Sequence, residues 1–272
     1  MRSIVLRLLP ELTLSITARQ VTVTAGARVF VSALSASEWN TLTDTTHFNR
    51  QQSLVPIERI CREIEKEFPG RRRISIALSH QIAPIWQLEA PPLFLNWAET
   101  QGWAHEALRQ KIGPMADQWN VRAEWSADSS SVMASTIHAE WLDTLLGVFK
   151  RNQMQVNRVQ PWITHFCANQ KKSLKKTDTW LALVEAGRIC LARVKNGDLQ
   201  RIRVESFADS ALSALSQMLQ RAALSDSAPQ PKNLVIQAPG IEADWHLLKP
   251  WQINLIPPQS GQSPDQKHSV RP

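Results

Sequence analysis

Three features of the sequence predict an α/β fold made of two copies of one unit. A run of three short alternating strands occurs twice, each run is followed by an amphipathic helix, and each helix by a compact apolar strand.

In the first copy Leu12, Leu14 and Ile16 alternate with polar neighbours, and Val21 and Val23 do the same. Val29, Val31 and Leu34 form the third strand after Ala25-Gly26, so the segment reads as a meander. A polar stretch follows. Ile57, Ile60, Cys61, Ile64 and Phe68 then recur at helical spacing, with Glu58, Arg59, Arg62, Glu63 and Lys66 on the opposite face, until Pro69-Gly70 ends the helix. Ile74 to Leu78 reads as a buried strand, and Ile85, Trp86 and Leu88 as another.

The second copy begins with strands at Trp180 to Val184, Ile189 to Val194 and Leu199 to Val204, the last two joined by the hairpin dipeptide Asn196-Gly197. Ala211, Leu212, Leu215, Met218, Leu219 and Ala222 line one face of a helix, and Leu234 to Ile236 give the following strand. Between the copies lie a helix from about Phe94 to Ile112, strands around Val121 to Trp125 and Val132 to Ile137, and a helix carrying Trp141, Leu145 and Phe149. Val156 to Val159, Pro161-Trp162 and a short helix lead to the basic linker Lys171-Lys172-Ser173-Leu174-Lys175-Lys176. The predicted organisation is therefore a first lobe at 1–93, an inserted helix-and-strand subdomain at 94–137, connecting helices and basic linker at 138–177, a second lobe at 178–256 and a disordered tail at 257–272.

The 272 residues, 43% hydrophobic and 20% charged, have a globular composition. The amino-terminal run MRSIVLRLLPELTLSIT is interrupted by Arg7, Pro10 and Glu11 and reads as a strand instead of a leader. No uncharged apolar run reaches the ~18 residues of a membrane span, so a soluble chain is expected. Cys61, Cys167 and Cys190 are too few and too irregular for a disulfide framework or zinc knuckle and fit a reducing compartment. The net charge of +7 admits an acidic partner, nucleic acid or an anionic membrane surface. Eleven tryptophans, with no repeat suggesting a base-stacking platform, are assigned mostly to the core.

A duplicated meander–helix–strand unit is the topology of the actin-like, ribonuclease-H-like fold, in which each unit is a mixed sheet with flanking helices. Ala77-Leu78-Ser79-His80-Gln81-Ile82, the helix Trp97 to Ile112 followed by Gly113, Trp119-Asn120-Val121-Arg122, the strand end Met133 to His138 and Val156-Asn157-Arg158-Val159-Gln160-Pro161 extend the likeness. Over about Leu12 to Ile256 the chain resembles the actin-like adaptors of type IV pilus and type II secretion machines, the PilM-type and GspL-cytoplasmic-type proteins. The resemblance implies a cytoplasmic adaptor, peripheral to the inner membrane, that binds a short cytoplasmic segment of an inner-membrane protein. It also implies where a nucleotide would sit if one bound.

An active actin-like ATPase brings glycine-containing hairpins up to the phosphates and uses an acid to organise Mg²⁺. The first-lobe turn, Thr17-Ala18-Arg19-Gln20, has neither glycine nor carboxylate. In the second lobe Glu185-Ala186-Gly187 stands where the family places an Asp-x-Gly turn, making Glu185 and Gly187 the one candidate remnant, with Arg188 crowding it. The alternative reading, which the pattern favours, is an ordinary hairpin glycine at Gly187. Pro239-Gly240 could mark an adenosine loop or a simple reversal. Neither a phosphate-binding Gly-Lys-Ser/Thr loop nor a dinucleotide fingerprint is present.

A two-metal nuclease needs an acid within the first strand, and Leu12 to Thr17 contains none. Glu58, Glu63 and Glu67 suit a charged helix face, and the seven histidines have no metal-binding spacing. His165-Phe166-Cys167 separates its polar groups, so Cys167 is assigned to the core. Ser79 and His80 are adjacent and would point apart, which suggests a loop or the lip of a cleft. No cofactor, metal or catalytic residue is expected. Arg71, Arg72, Arg73 and the lysines Lys171, Lys172, Lys175 and Lys176 are either solvated loop charges or contacts to an anionic membrane surface or acidic partner. No nucleic-acid motif accompanies them. The sequence thus predicts a non-catalytic scaffold, with an ATP-binding actin-like protein built around Glu185 and Gly187 as the alternative and a nucleic-acid binder behind it.

Overall fold

A computed structural model of the chain describes residues 11–17, 20–26, 28–44, 54–68, 70, 72–126, 128–225, 230–238 and 241–256. The first lobe opens with β1 (Glu11–Thr17), β2 (Gln20–Ala25) and β3 (Arg28–Ala33), an antiparallel meander in which Leu14 lies opposite Val23 and Val23 opposite Phe30. Helix α1 (Ala36–Thr43) occupies part of the stretch read as polar connector. Its signal was present in the sequence: Ser35 and Glu38 form a reciprocal capping box, and Trp39 and Leu42 are buried. Helix α2 (Val55–Glu67) follows, with Pro56 in its first turn. Strand β4 (Arg72–Leu78) then runs parallel to β1, setting Ile74 beside Leu12 and Ile76 beside Leu14.

Strand β5 (Ile85–Glu89) corrects the predicted boundary at residue 93. It pairs antiparallel with β7 (Ser131–His138), whose other neighbour is β6 (Trp119–Trp125), so the small sheet has the order β5-β7-β6. Alternation reveals a strand but not its partner, and here the partner lies about fifty residues away in sequence. Helix α3 (Trp97–Ile112) starts from a second capping box, Asn96 with Glu99, and covers this sheet with Ala104 and Leu108 against Leu88, Ala123, Val132 and Ala134.

The connector 138–177 is also redistributed. Helix α4 (Ala139–Arg151) buries Trp141, Leu145 and Phe149 in the first-lobe core beside Ile57, Ile60 and Ile64 of α2. Strand β8 (Met154–Pro161) is the fifth strand of the first sheet, parallel to β4, giving the order β3-β2-β1-β4-β8. Its exposed, polar alternation hid it from the hydrophobic pattern. Helix α5 (Trp162–Asn169) and the four-residue helix α6 (Lys171–Leu174) lead into the second lobe.

That lobe contains β9 (Asp178–Glu185), β10 (Arg188–Lys195), β11 (Asp198–Ser206), α7 (Ala211–Ser225), β12 (Asn233–Gln237) and β13 (Gln252–Leu255). Its order, β11-β10-β9-β12-β13, repeats the first sheet. The directions repeat too, because β9 is antiparallel to β10 and parallel to β12, as β1 is to β2 and β4. The duplication read from the sequence is thus present strand by strand. Strand β13 was not predicted, being four residues long and mostly exposed.

The two sheets differ in what covers them. In the second lobe α7 packs Leu215, Met218 and Leu219 on one face, while Trp162, Ile163 and Cys167 of α5 pack on the other against Leu181, Leu183 and Ala192. Burial on both faces explains why β9 reads as a continuous apolar run. In the first lobe the main aliphatic core lies on the face toward α2 and α4; the other face carries Thr13, Ser15, Thr22 and Thr24 toward α5. Five tryptophans (Trp39, Trp141, Trp162, Trp180 and Trp245) are buried, whereas Trp97 is exposed, so the core assignment of this residue type holds only in part. Among the described residues no helix is long and apolar enough to cross a membrane. The amino-terminal run up to residue 10 and the predicted tail 257–272 lie outside the described residues.

Candidate functional site

The loop after β4 and the turn between β9 and β10 meet between the lobes. Ser79 Oγ donates to Glu185 Oε2 at 2.7 Å, and Gln81 Nε2 donates to the carbonyl of Ala186 at 3.1 Å. Ser79 is held by its own backbone, whose N–H donates to the Ile16 carbonyl, while its Oγ also accepts from the Gln81 N–H. Ser79 and Glu185 are buried, at 0% and 1% exposure, and Ala186 packs against the first-lobe core. The predicted remnant is therefore brought together with Ser79 and Gln81 as an interlobe joint. Gly187 has φ +75°, and its carbonyl accepts from Phe207 N–H, so a tight hairpin accounts for the glycine.

Ser79 and His80 are a loop, as expected, but a buried one. His80 Nδ1 accepts from the Ile85 N–H at 3.4 Å. Burial, with help from the positive charge of Arg188, pulls its pKa down to about 3, so it is a neutral packing group. Burial likewise raises Cys61, with the Glu58 charge adding, and Cys167, with Asp198 adding, each to about 12. Cys190 is raised by burial and by Glu185 and Cys167. None of these thiols is poised as a nucleophile.

Beside the joint, between the hydroxyl-bearing face of β1 and β2 and helix α5, lies a cavity of about 190 Å³. Thr13, Ser15, Gln20, His165, Asn169 and Gln237 contribute its polar lining. His165 is held between Gln160 and Asn169, and burial, followed by the charge of Arg158, lowers its pKa. Among the described residues the lining has neither a lysine or arginine to hold phosphates nor a carboxylate to hold Mg²⁺, and no group of metal-ligating side chains occurs elsewhere. Ala18, Arg19, Pro239 and Gly240 lie outside the described residues.

A second concavity separates the small sheet from the end of β8 and the start of α5. It comprises two hollows of about 410 and 420 Å³ that share Arg122, Ser135 and Pro161. Trp97, Gln101, Trp125, Met133 and Leu199 wall one hollow; Leu78, Val121, Ile137 and Leu142 wall the other. Aromatic and aliphatic walls, a few amides and hydroxyls, and the charges of Arg122, Glu124, Arg158 and Asp198 make a concavity able to take an extended segment. At its mouth Phe94 stacks on Trp125 at 4.6 Å, Arg122 lies over Trp97, and Leu93, Phe94 and Trp97 are largely exposed. Sequence reasoning missed this groove, since its walls come from elements about a hundred residues apart.

The described arginines of the run at 71–73 face different ways. Arg71 lies outside the described residues, Arg73 is exposed, and Arg72 is 2% exposed with its Nη2 lacking a hydrogen-bond partner. Alternation along β4 turns adjacent arginines to opposite sides, and the burial of Arg72 lowers its pKa, opposed by the Glu65 charge. All four linker lysines are exposed. Lys171 also approaches Asp198 at 3.5 Å.

No protein-family model and no curated protein matches the chain. Solved structures do. The cytoplasmic domain of EpsL, an inner-membrane component of the type II secretion system of Vibrio cholerae, superposes with a TM-score of 0.56 at 12% identity, covering 91% of this chain and 90% of that one. The PilM–PilN type IV pilus biogenesis complex gives 0.64 at 11%, covering 91% and 88%. A Bacteroides thetaiotaomicron protein with an actin-like ATPase fold and unknown function gives 0.53 at 11%, covering 94% of each chain. The chain therefore has an actin-like fold of the kind seen in PilM and the EpsL cytoplasmic domain.

Proposed function

We propose that this chain is a non-catalytic adaptor of an inner-membrane assembly related to pilus biogenesis or type II secretion, and that its interlobe cleft is a structural joint instead of a nucleotide site. The observation that carries this reading is the Ser79–Glu185 hydrogen bond, which ties the second-lobe turn to the first lobe where an actin-like ATPase would admit phosphate. A carboxyl committed to a buried hydroxyl is poorly placed to organise a metal and water. The lining of the neighbouring cavity, which among the described residues has no lysine, arginine or carboxylate, supports the same reading.

The partner side rests on the groove and on what its structural neighbours are. PilM is in complex with PilN, and EpsL is an inner-membrane component. We infer that the concavity between the small sheet and β8 receives a short cytoplasmic segment of a membrane protein, anchored by apolar side chains between Trp97, Trp125, Met133 and Leu199. A photoreactive amino acid at Gln101 or Met133, in cells of the source organism, tests this. Cross-links to one membrane protein from both positions, and none from Gln217 on the far helix α7, are expected. Cross-links confined to soluble proteins or nucleic acid, or equal yields from Gln217, would contradict it.

A further inference from the structure

The fold gathers the linker lysines and a fifth lysine, distant in sequence, into one basic surface at the base of the second lobe. Leu174 is buried in the core beneath the sheet and pins α6, turning Lys171, Lys172, Lys175 and Lys176 outward. The β10–β11 turn sits directly on α6. Gly197 has φ +85°, which favours glycine, and a Cβ there would lie a tight 3.3 Å from the Lys171 carbonyl oxygen. Asn196 N–H donates to the Thr177 carbonyl, and Lys195 stands opposite both Asp178 and Asp198 in the sheet register. Lys195 is thereby brought beside the linker, exposed like the other four.

The chemistry of this surface narrows its partner. It is made of long, separately hydrated ammonium groups on a short helix and a hairpin tip, with no exposed aromatic ring among them. Single-stranded nucleic acid is held by stacking rings, and a peptide by apolar anchors seated in a pocket; the patch supplies neither. A fluid array of anionic headgroups needs no such complementarity, because its charges rearrange to meet the lysines. Charge segregation favours a fixed orientation. In segment 85–138, Glu89, Glu99, Glu106, Asp117, Glu124 and Asp128 outnumber Arg109, Lys111 and Arg122, so the small subdomain is repelled by the surface that attracts the patch.

We propose that the surface formed by Lys171, Lys172, Lys175, Lys176 and Lys195 binds anionic phospholipid headgroups and holds the chain against a bilayer. This does not depend on the segment-docking reading, because the probe is a vesicle without protein. Sedimentation with vesicles of phosphatidylglycerol and phosphatidylcholine, against phosphatidylcholine alone, provides the test. The variant Lys172→Gln, Lys175→Gln, Lys176→Gln, Lys195→Gln leaves the Lys171–Asp198 contact intact. Its control, Lys66→Gln, Lys150→Gln, Lys232→Gln, Lys249→Gln, removes the same charge from exposed positions elsewhere.

The wild type is expected to partition onto the anionic vesicles only, and to be released by about 0.5 M salt as screening shortens the range of the field. Each patch lysine should contribute about fivefold, so the patch variant loses on the order of a hundredfold or more in partition. The control variant should stay within severalfold of wild type. Equal loss in both variants would reduce the effect to net charge, and binding to neutral vesicles would remove the electrostatic basis. Tighter binding to duplex DNA or polyglutamate than to anionic vesicles at the same salt would overturn the lipid assignment.

Discussion

Ser79 and Glu185, 106 residues apart in sequence, share a 2.7 Å hydrogen bond across the lobes with both side chains withdrawn from water. Removing either side chain takes a buried hydrogen bond from the other, so Ser79→Ala and Glu185→Ala should each destabilise the chain by about 1–3 kcal/mol. In urea unfolding of the single and double variants, a coupling energy of about 1 kcal/mol or more is expected, since residues in contact are non-additive. Strict additivity would mean that the contact contributes nothing to holding the lobes together.

His80 gives a pH dependence with a defined sign. Its pKa falls from 6.5 to about 3 on folding, so between these values the unfolded chain binds a proton that the folded chain refuses. The contribution to stability is full above pH 6.5 and declines as pH falls toward 3, with a limiting slope of about 1.4 kcal/mol per pH unit. Because His165 is shifted the same way, the informative quantity is the difference between variants. His80→Asn keeps an acceptor for the Ile85 N–H and should flatten the acid limb in denaturant titrations from pH 7 to 4. An unchanged limb would contradict the assignment.

Arg72 is a buried guanidinium whose Nη2 has no hydrogen-bond partner. Arg72→Met keeps the apolar stem and removes the desolvated charge, so stability should be unchanged or higher by about 1–3 kcal/mol. Partition onto anionic vesicles should not change. A loss of more than about 2 kcal/mol in urea unfolding would show that the guanidinium is compensated after all.

What the sequence could reveal followed the range of the signal. Periodicity located β1 to β4, β9 to β12 and α7, because each carries its own buried face, and Asn196-Gly197 placed a hairpin correctly. Strand β5 is visible in the sequence and β8 is not, and the partner of neither is, because pairing is decided by Ser135 and Ile76, far along the chain. Helix α1 is legible in Ser35 and Glu38, inside a stretch whose polarity masks its short apolar face. Glu185 and Gly187 were recognised as the second-lobe turn, but only the fold brings Ser79 to the carboxyl. In the arginine run, neighbours in sequence are not neighbours in space. A strand separates neighbouring side chains, so Arg72 went inward and Arg73 outward.

The central claim, that the interlobe cleft is a joint and not a nucleotide site, is tested most directly by Mg-ATP. Any ligand that binds the native state alone must raise its melting temperature, and a ligand at a hundred times its Kd adds about 2.7 kcal/mol. With millimolar Mg-ATP the wild-type chain should show no rise in Tm and no release of phosphate above a protein-free control. A Mg-dependent rise that is lost in Glu185→Ala, measured against that variant's own baseline, would contradict the account and establish a nucleotide site at the β9–β10 turn.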